Sequence, residues 1–90
     1  MTAAVDVTVR EEQDGWIAEV TVHGGRTTQH RVRVTRDEHV RYGDGDVTEL
    51  VRRSFAFLLA RESNASILRE FGLSAIEQYF PDYAREILSR

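Results

Sequence analysis

The sequence predicts an α+β fold, in which a three-stranded antiparallel β-meander is followed by three to four helices packed on one face of the sheet (β-β-β-α-α-α). Up to residue 35, apolar and polar residues alternate at the two-residue period of half-buried strands. From Val47 to Leu88, apolar residues recur at helical spacing. The 90 residues are expected to form one domain, 1–90, with the meander at 4–35 and the helical half at 46–89.

Each predicted strand hides every second side chain on a common face. Asp14-Gly15 and Gly24-Gly25 mark the two turns, as expected for consecutive antiparallel strands. The hidden residues are Val5, Val7 and Val9 in the first strand, Trp16, Ala18, Val20 and Val22 in the second, and Val32 and Val34 in the third.

The strand register follows from parity, because a slip by one residue would turn every valine to the other face. A four-residue connection, Glu11–Asp14, is expected between the first two strands and places Val9 opposite Trp16. A three-residue loop, Gly24–Arg26, is expected next, with a glycine at positive φ and a bulge. This loop sets Trp16 beside Val34.

The long helix is predicted to begin at a capping box, in which Asp46 accepts from first-turn amides and Glu49 reaches back to the cap. The Asp-Gly-Asp run before it lacks the ligand spacing of a calcium loop. The core-facing stripe of this helix contains Leu50, Val51, Ser54, Phe55 and Leu58.

The remaining apolar residues predict shorter helices that cover the long one. A short helix is expected around Ile67, Leu68 and Phe71, ending at Gly72. A second capping box is expected at Ser74-Ala75-Ile76-Glu77. Pro81 should break the tail, which then restarts with this proline in its first turn.

The charge pattern is uneven along the chain. Net charge is −3 and every basic residue is arginine, but residues 1–25 carry −4, residues 26–41 carry +3 and residues 42–90 carry −2. The basic segment is expected to neutralise the acidic first hairpin, beginning with a cross-strand pair of Glu19 and Arg31. The alternative is a patch that binds a ligand or nucleic acid. Its members would be Arg26, Arg31, Arg33, Arg36 and Arg41.

No motif for catalysis, metal binding or cofactor binding stands out. Absence of cysteine removes disulfides and thiolate ligands, and His23, His30 and His39 lack the spacing of a ligand pair. No phosphate loop or nucleophile elbow is present. We therefore expect no enzyme, no cofactor, no metal and no membrane span, and a cytoplasmic location.

Two resemblances accompany these patterns. The segments Ser54–Glu62, Ser66-Ile67-Leu68 and Tyr79–Ile87 look like a group of small uncharacterised bacterial proteins with strands followed by helices, which implies no activity. The first hairpin, with Asp14–Val20, and the long helix resemble the sheet-plus-helix half of HicB-type antitoxins. The chain departs from that family at Val22–Gly25, where such antitoxins carry a Leu-Pro-Gly turn. Its last residues are amphipathic, so they are expected to pack on the domain and not to form a separate DNA-binding tail.

A protein-interaction or regulatory module, as a monomer or a homodimer, is the function that these patterns favour; the sequence leaves open simple monomeric packing in which the same aromatic residues are all buried. The helical half has an apolar excess around Phe57, Tyr79 and Tyr83, and an exposed edge strand would offer a second surface. The partner would be an unknown protein or a second copy of the chain. A nucleic-acid-binding or antitoxin-like protein that uses the segment from Arg26 to Arg41 is the alternative.

Overall fold

The structure, a computed structural model, describes residues 4–43 and 45–88, which form a four-stranded sheet and four helices. The sheet order is β1-β2-β3-β4, with β1 to β3 antiparallel and β4 parallel to β3. No described helix is long and apolar enough to cross a membrane. The elements are β1 (Ala4–Glu12), β2 (Gly15–His23), β3 (Thr27–Thr35), α1 (Arg36–Tyr42), α2 (Val47–Leu59), a 3₁₀ turn (Asn64–Ser66), β4 (Glu70–Gly72), α3 (Ala75–Tyr79) and α4 (Tyr83–Leu88).

The predicted meander is present, and one of its two registers is as expected. Trp16 pairs with Val34 across β2 and β3, with Gly24–Arg26 as the loop. Between β1 and β2 the prediction was wrong by two residues: Val9 pairs with Ala18, because the turn is only Gln13–Asp14. An even shift leaves every valine on its predicted face.

The positive-φ glycine of the meander lies at the start of β2, not in the Gly24–Arg26 loop. Gly15 has φ 152°, whereas neither loop glycine has a positive φ. A Cβ atom at Gly15 would collide with the Val34 carbonyl oxygen and lie 2.9 Å from Thr35 Cα. Close contact between two backbones requires glycine here.

The hydrophobic core lies between the valine face of the sheet and the helices. The inward alanine and valines of β2 and β3 are at most 1% exposed, whereas Trp16 of β2 and the three inward valines of β1 are half-buried. Helix α2 packs against β1 and β2 with the side chains that the helical period selects. The most deeply buried side chains include Ala18, Val20, Val22, Val32, Val34, Val51, Phe55 and Leu73.

Strand β4 replaces the short helix that was predicted to end at Gly72. The Arg31 amide donates to the Arg69 carbonyl at 2.6 Å, and the Leu73 amide donates to the Arg33 carbonyl at 2.9 Å. The backbone amides and carbonyls on the outer edge of β3 thus find their hydrogen-bond partners in a segment that is distant in sequence. The three-strand count is corrected to four, and Phe71 lies beside Val32 in the new ladder.

Helix α2 has the predicted N-cap but not the complete capping box. The Asp46 carboxylate accepts from the Thr48 amide at 2.8 Å, while Glu49 contacts Arg52 at 3.3 Å. Asp44, in the same loop, lies outside the described residues. Because Arg52 is one turn further along the exposed face, Glu49 forms an ion pair there.

A reciprocal capping box occurs instead at α1, a helix that the apolar pattern did not predict. The Thr35 hydroxyl accepts from the Glu38 amide at 3.0 Å, and the Glu38 carboxylate accepts from the Thr35 amide at 2.9 Å. The second oxygen of Glu38 accepts from the Ser74 amide at 2.9 Å. Glu38 therefore joins the start of α1 to the turn before α3.

The box predicted at the start of α3 is absent. Ser74 occupies the N-cap position without a side-chain capping bond, and Glu77 accepts a hydrogen bond from the Tyr42 hydroxyl at 2.6 Å. The predicted break at Pro81 is present between α3 and α4, but this proline precedes the first turn of α4, which begins at Tyr83. The missing proline N–H suits a turn as well as a helix start.

Candidate interaction surface

Two of the three predicted interaction residues belong to the core. Tyr83 is fully buried and Phe57 is 8% exposed, whereas Tyr79 is 68% exposed. Phe57 packs edge-to-face on Phe80 and Tyr83, and the Arg61 guanidinium covers its ring at 3.6 Å. The expectation that all three residues form one exposed surface is therefore corrected, because the fold packs two of them internally.

Tyr79 lies at the rim of an apolar groove between α2, α3 and the segment that leads into β4. The groove has a volume of about 210 Å³, and Leu68, which also lines it, is 49% exposed. Glu62 is the charged residue of the lining. The other lining residues are Leu58, Ser66, Ile67, Phe71, Ala75, Ile76 and Phe80.

The geometry of the groove follows from the elements that surround it. Phe71 points inward from β4 beside Val32, and its ring lies 6.2 Å from the Phe55 ring. Leu68 lies two residues before β4, which pairs with β3, and its side chain is half exposed. Sequence analysis placed Leu68 inside a helix and missed this groove.

A chain of hydrogen bonds anchors the groove segment to β3. The Asn64 amide donates to the Thr28 hydroxyl at 3.0 Å and to the Arg26 carbonyl at 2.6 Å. His30 Nδ1 lies 2.7 Å from the Leu68 carbonyl, and His30 Nε2 lies 2.9 Å from the Thr28 hydroxyl. Because a carbonyl oxygen can only accept, His30 Nδ1 is the donor in the contact with Leu68. This network holds the backbone of Leu68 in place.

The five arginines of the basic segment are spread over the molecule. The Arg31 side chain pairs with Glu19 at 2.9 Å, as predicted, and lies 3.9 Å from Glu70. Arg36 pairs with Glu11 at 3.1 Å and stacks over Trp16 at 4.8 Å. These ion pairs match the interpretation in which the basic segment neutralises acidic neighbours.

The other arginines do not meet at one place. Arg26 lies before β3 and Arg41 lies in α1 after it, so a nine-residue strand of about 26 Å separates the two ends. Arg33 shares the outward face of β3 with Arg31. The structure thus brings together Arg31 and Arg33 from the predicted patch.

The three histidines serve separate contacts. His23 lies 3.0 Å from Asp6 on the outer face of the sheet, His30 is buried in the network above, and His39 packs edge-to-face on Trp16 at 4.8 Å. Within residues 4–43 and 45–88, no cluster of three or more His, Asp or Glu side chains could hold a metal ion.

A buried hydroxyl pair connects α2 with α4. The Ser54 hydroxyl donates to the Leu50 carbonyl at 2.8 Å, which leaves its oxygen to accept from the Tyr83 hydroxyl at 2.6 Å. Both side chains are fully buried, and burial raises the pKa of Tyr83 above its ordinary value. Because no substrate could reach these buried hydroxyls, we interpret the pair as a structural contact that holds the two helices together.

Comparison with protein-family models, curated proteins and solved structures finds no match to this chain. The two resemblances noted from the sequence therefore stay predictions. A functional interpretation must rest on the groove, the sheet edges and the charges described above.

Proposed function

We propose that this chain is a non-catalytic, cytoplasmic protein-interaction or regulatory module, and that its apolar groove binds a partner segment. The observation that carries the proposal is that Leu68 and Tyr79, two exposed apolar side chains, line the same concave apolar surface. Exposed apolar groups beside a pocket are typical of protein interfaces.

The size and charge of the groove indicate the chemistry of its occupant. Its volume of about 210 Å³ is smaller than the roughly 300 to 1,000 Å³ of pockets for small molecules and cofactors. One large apolar side chain fits such a space as an anchor. Glu62 contributes negative charge to the lining, so the partner segment is expected to carry an aromatic residue or leucine with lysine or arginine nearby.

A tagged full-length chain provides the main test. Proteins captured from lysate by the unmodified chain should be lost, by about tenfold or more, when Leu68→Ser and Tyr79→Ser are combined. Val40→Ser is the matched control, because Val40 is 66% exposed on α1 and does not line the groove. Equal loss with the control, or no loss with the double variant, would contradict the proposal.

A displayed peptide library tests the chemistry of the occupant directly. Selected sequences should share an aromatic or leucine anchor near a basic residue, and Glu62→Lys should reverse the preferred charge. Acidic or purely polar sequences would refute the assignment to this groove.

Nucleic-acid binding through the arginine segment is the alternative that the same experiment separates. To test for nucleic-acid binding, the capture is repeated after nuclease treatment and again with a variant that combines Arg31→Glu and Arg33→Glu. Binding that nuclease removes and that the double arginine variant abolishes would favour the alternative over the groove.

A further inference from the structure

Strand β1 forms an edge of the sheet. Among the described residues, β2 is its strand neighbour on one side, and no strand lies on the other. The ladder with β2 is continuous over nine residues, Ala4–Glu12, without a bulge, proline or glycine in β1. Prolines and bulges are two common protections of natural sheet edges, and β1 has neither; its side chains at the inward positions 5, 7 and 9 are all valines, followed by Glu11 at the end of the strand.

The inward face of β1 is also incompletely covered. Val5, Val7 and Val9 are half-buried, whereas their cross-strand partners Ala18, Val20 and Val22 are at most 1% exposed. A further strand beside β1 would bring more apolar surface against these valines. A strand that binds at this edge could therefore bury apolar side chains and also form backbone hydrogen bonds with β1.

Hydrogen bonds at the far edge of the sheet show which backbone groups of β1 point outward. Arg31 and Arg33 direct theirs toward β4, through the bonds to Arg69 and Leu73. Because direction alternates along each strand, even-numbered residues of β3 bond even-numbered residues of β2. Odd-numbered residues of β2 then bond even-numbered residues of β1. The free amides and carbonyls of β1 therefore belong to Val5, Val7, Val9 and Glu11.

A second copy of β1 fits this edge when a two-fold axis passes through Thr8, the central residue of the strand. Antiparallel pairing about this axis aligns all nine residues with nine. Val7 faces Val9 of the second copy as a hydrogen-bonded pair, which uses the free backbone groups. Asp6 faces Arg10 of the second copy, and Arg10 faces Asp6.

The side-chain charges make this register self-complementary. Asp6 and Arg10 lie two residues on either side of Thr8 on the outward face, so symmetry creates two opposite-charge pairs. They fall at non-hydrogen-bonded positions, where side chains are closest. Moving the axis to residue 7 or 9 aligns Asp6 with Thr8, or with Glu12, and loses both pairs.

We infer that two copies of this chain associate through β1 to form a continuous eight-stranded sheet, with Thr8 on the two-fold axis and two Asp6–Arg10 ion pairs across the interface. The two helical layers lie on the same side of that sheet, because odd-numbered residues meet odd-numbered residues. β4 and the apolar groove lie at the opposite edge. The inference therefore stands independently of partner binding by the groove.

Charge reversal tests the register. Unmodified chain should have twice its 10.3 kDa mass in light scattering or sedimentation. Asp6→Arg alone opposes arginine to arginine, and Arg10→Asp alone opposes aspartate to aspartate, so each should self-associate about tenfold more weakly or worse. Mixing the two variants restores both opposite pairs and should restore the double mass. Circular dichroism checks that each variant is folded.

A cysteine introduced at the axis gives a second test that does not depend on charge. The chain has no cysteine, and Thr8→Cys would place two Cα atoms about 4.5 Å apart, within the range of a disulfide. Mild oxidation should convert this variant to a covalent dimer. Thr21→Cys, on the same face of β2, is the control and should form little or no covalent dimer.

Three results would overturn the inference. The first is a single-chain mass for the unmodified protein at concentrations up to about 1 mM. The second is a mixture of the two charge variants that associates no better than either alone. The third is cross-linking of Thr8→Cys no faster than that of Thr21→Cys. A dimer that dissociates with Leu68→Ser and Tyr79→Ser, but not with the β1 variants, would place self-association at the groove instead.

Discussion

Gly15 shows how one residue can determine the geometry of a hairpin. Its positive φ and its contact with the backbone at Val34 and Thr35 let β2 begin directly after a two-residue turn. The Asp14-Gly15 dipeptide indicated a turn, but its length depends on the contact with β3. The two-residue error in the predicted β1–β2 register arises here.

We expect Gly15→Ala to lower the free energy of unfolding by about 2 to 3 kcal/mol, because the added Cβ strains φ and collides with backbone that cannot move freely. Gly25→Ala is the control, since a Cβ there meets nothing within 4 Å. Urea denaturation measures both. Equal stability of the two variants would refute this account.

Glu38 is the second residue with a large structural role. Its carboxylate accepts one backbone amide from each of two segments that lie far apart in sequence, and it is 8% exposed. The Thr-x-x-Glu spacing of a capping box was visible in the sequence, but the bond to Ser74 depends on the tertiary fold.

Glu38→Ala should lower the free energy of unfolding by about 2 kcal/mol, because two partly buried backbone amides lose their acceptor. Glu49→Ala, which removes only an exposed pair with Arg52, should cost less than about 0.5 kcal/mol. Chemical denaturation of both variants checks the difference. If Glu38→Ala destabilised the protein as little as the control does, the two hydrogen bonds accepted by Glu38 would contribute little to stability.

Among the elements, β4 is the one that local patterns could not predict. Three residues are too few for a period, and the apolar spacing of Ile67, Leu68 and Phe71 suited a helix. Pairing with β3 joins residues nearly 40 positions apart, which only the assembled sheet can specify. Helix α1 was not specified by the apolar pattern either, because its short sequence is mostly polar and fits a loop as well as a short helix.

Phe71 makes β4 an integral part of the core. Phe71→Ala should cost about 3 to 5 kcal/mol, since it removes a ring that is 6% exposed and packs near Phe55. Leu68→Ala, at a side chain that is 49% exposed, should cost less than about 1 kcal/mol. Thermal or chemical denaturation distinguishes them, and a small cost at Phe71 would mean that β4 is only loosely attached.

The whole molecule is expected to lose stability at alkaline pH. Burial raises the pKa of Tyr83, and burial followed by the hydrogen bond to Glu77 raises the pKa of Tyr42. An unfolded tyrosine titrates near pH 10, so above that pH the unfolded chain releases protons that the folded chain retains. This contribution is complete below pH 10 and is lost as pH rises beyond it.

Tyr83→Phe tests this pH dependence. At neutral pH the variant should be about 1 kcal/mol less stable, because the hydrogen bond to Ser54 is lost. Above pH 10 its stability should fall less steeply with pH than that of the unmodified chain. Tyr79→Phe, at an exposed ring, should retain the steeper decline. Denaturation midpoints measured from pH 8 to about pH 11 provide the comparison, and identical slopes would contradict the assignment.

Local patterns were sufficient for the α+β class, the valine face, the β2–β3 register and the Glu19–Arg31 pair, because alternation and parity act between neighbours along the chain or across one turn. They could not place Phe57 and Tyr83 inside the core or Leu68 and Tyr79 around a groove. Apolar side chains look alike in sequence, and long-range packing decides which of them become covered. The strand order that leaves β1 at an edge is likewise a property of the assembled sheet, because a segment can pair with a strand only where the backbone amides and carbonyls of that strand are still unpaired.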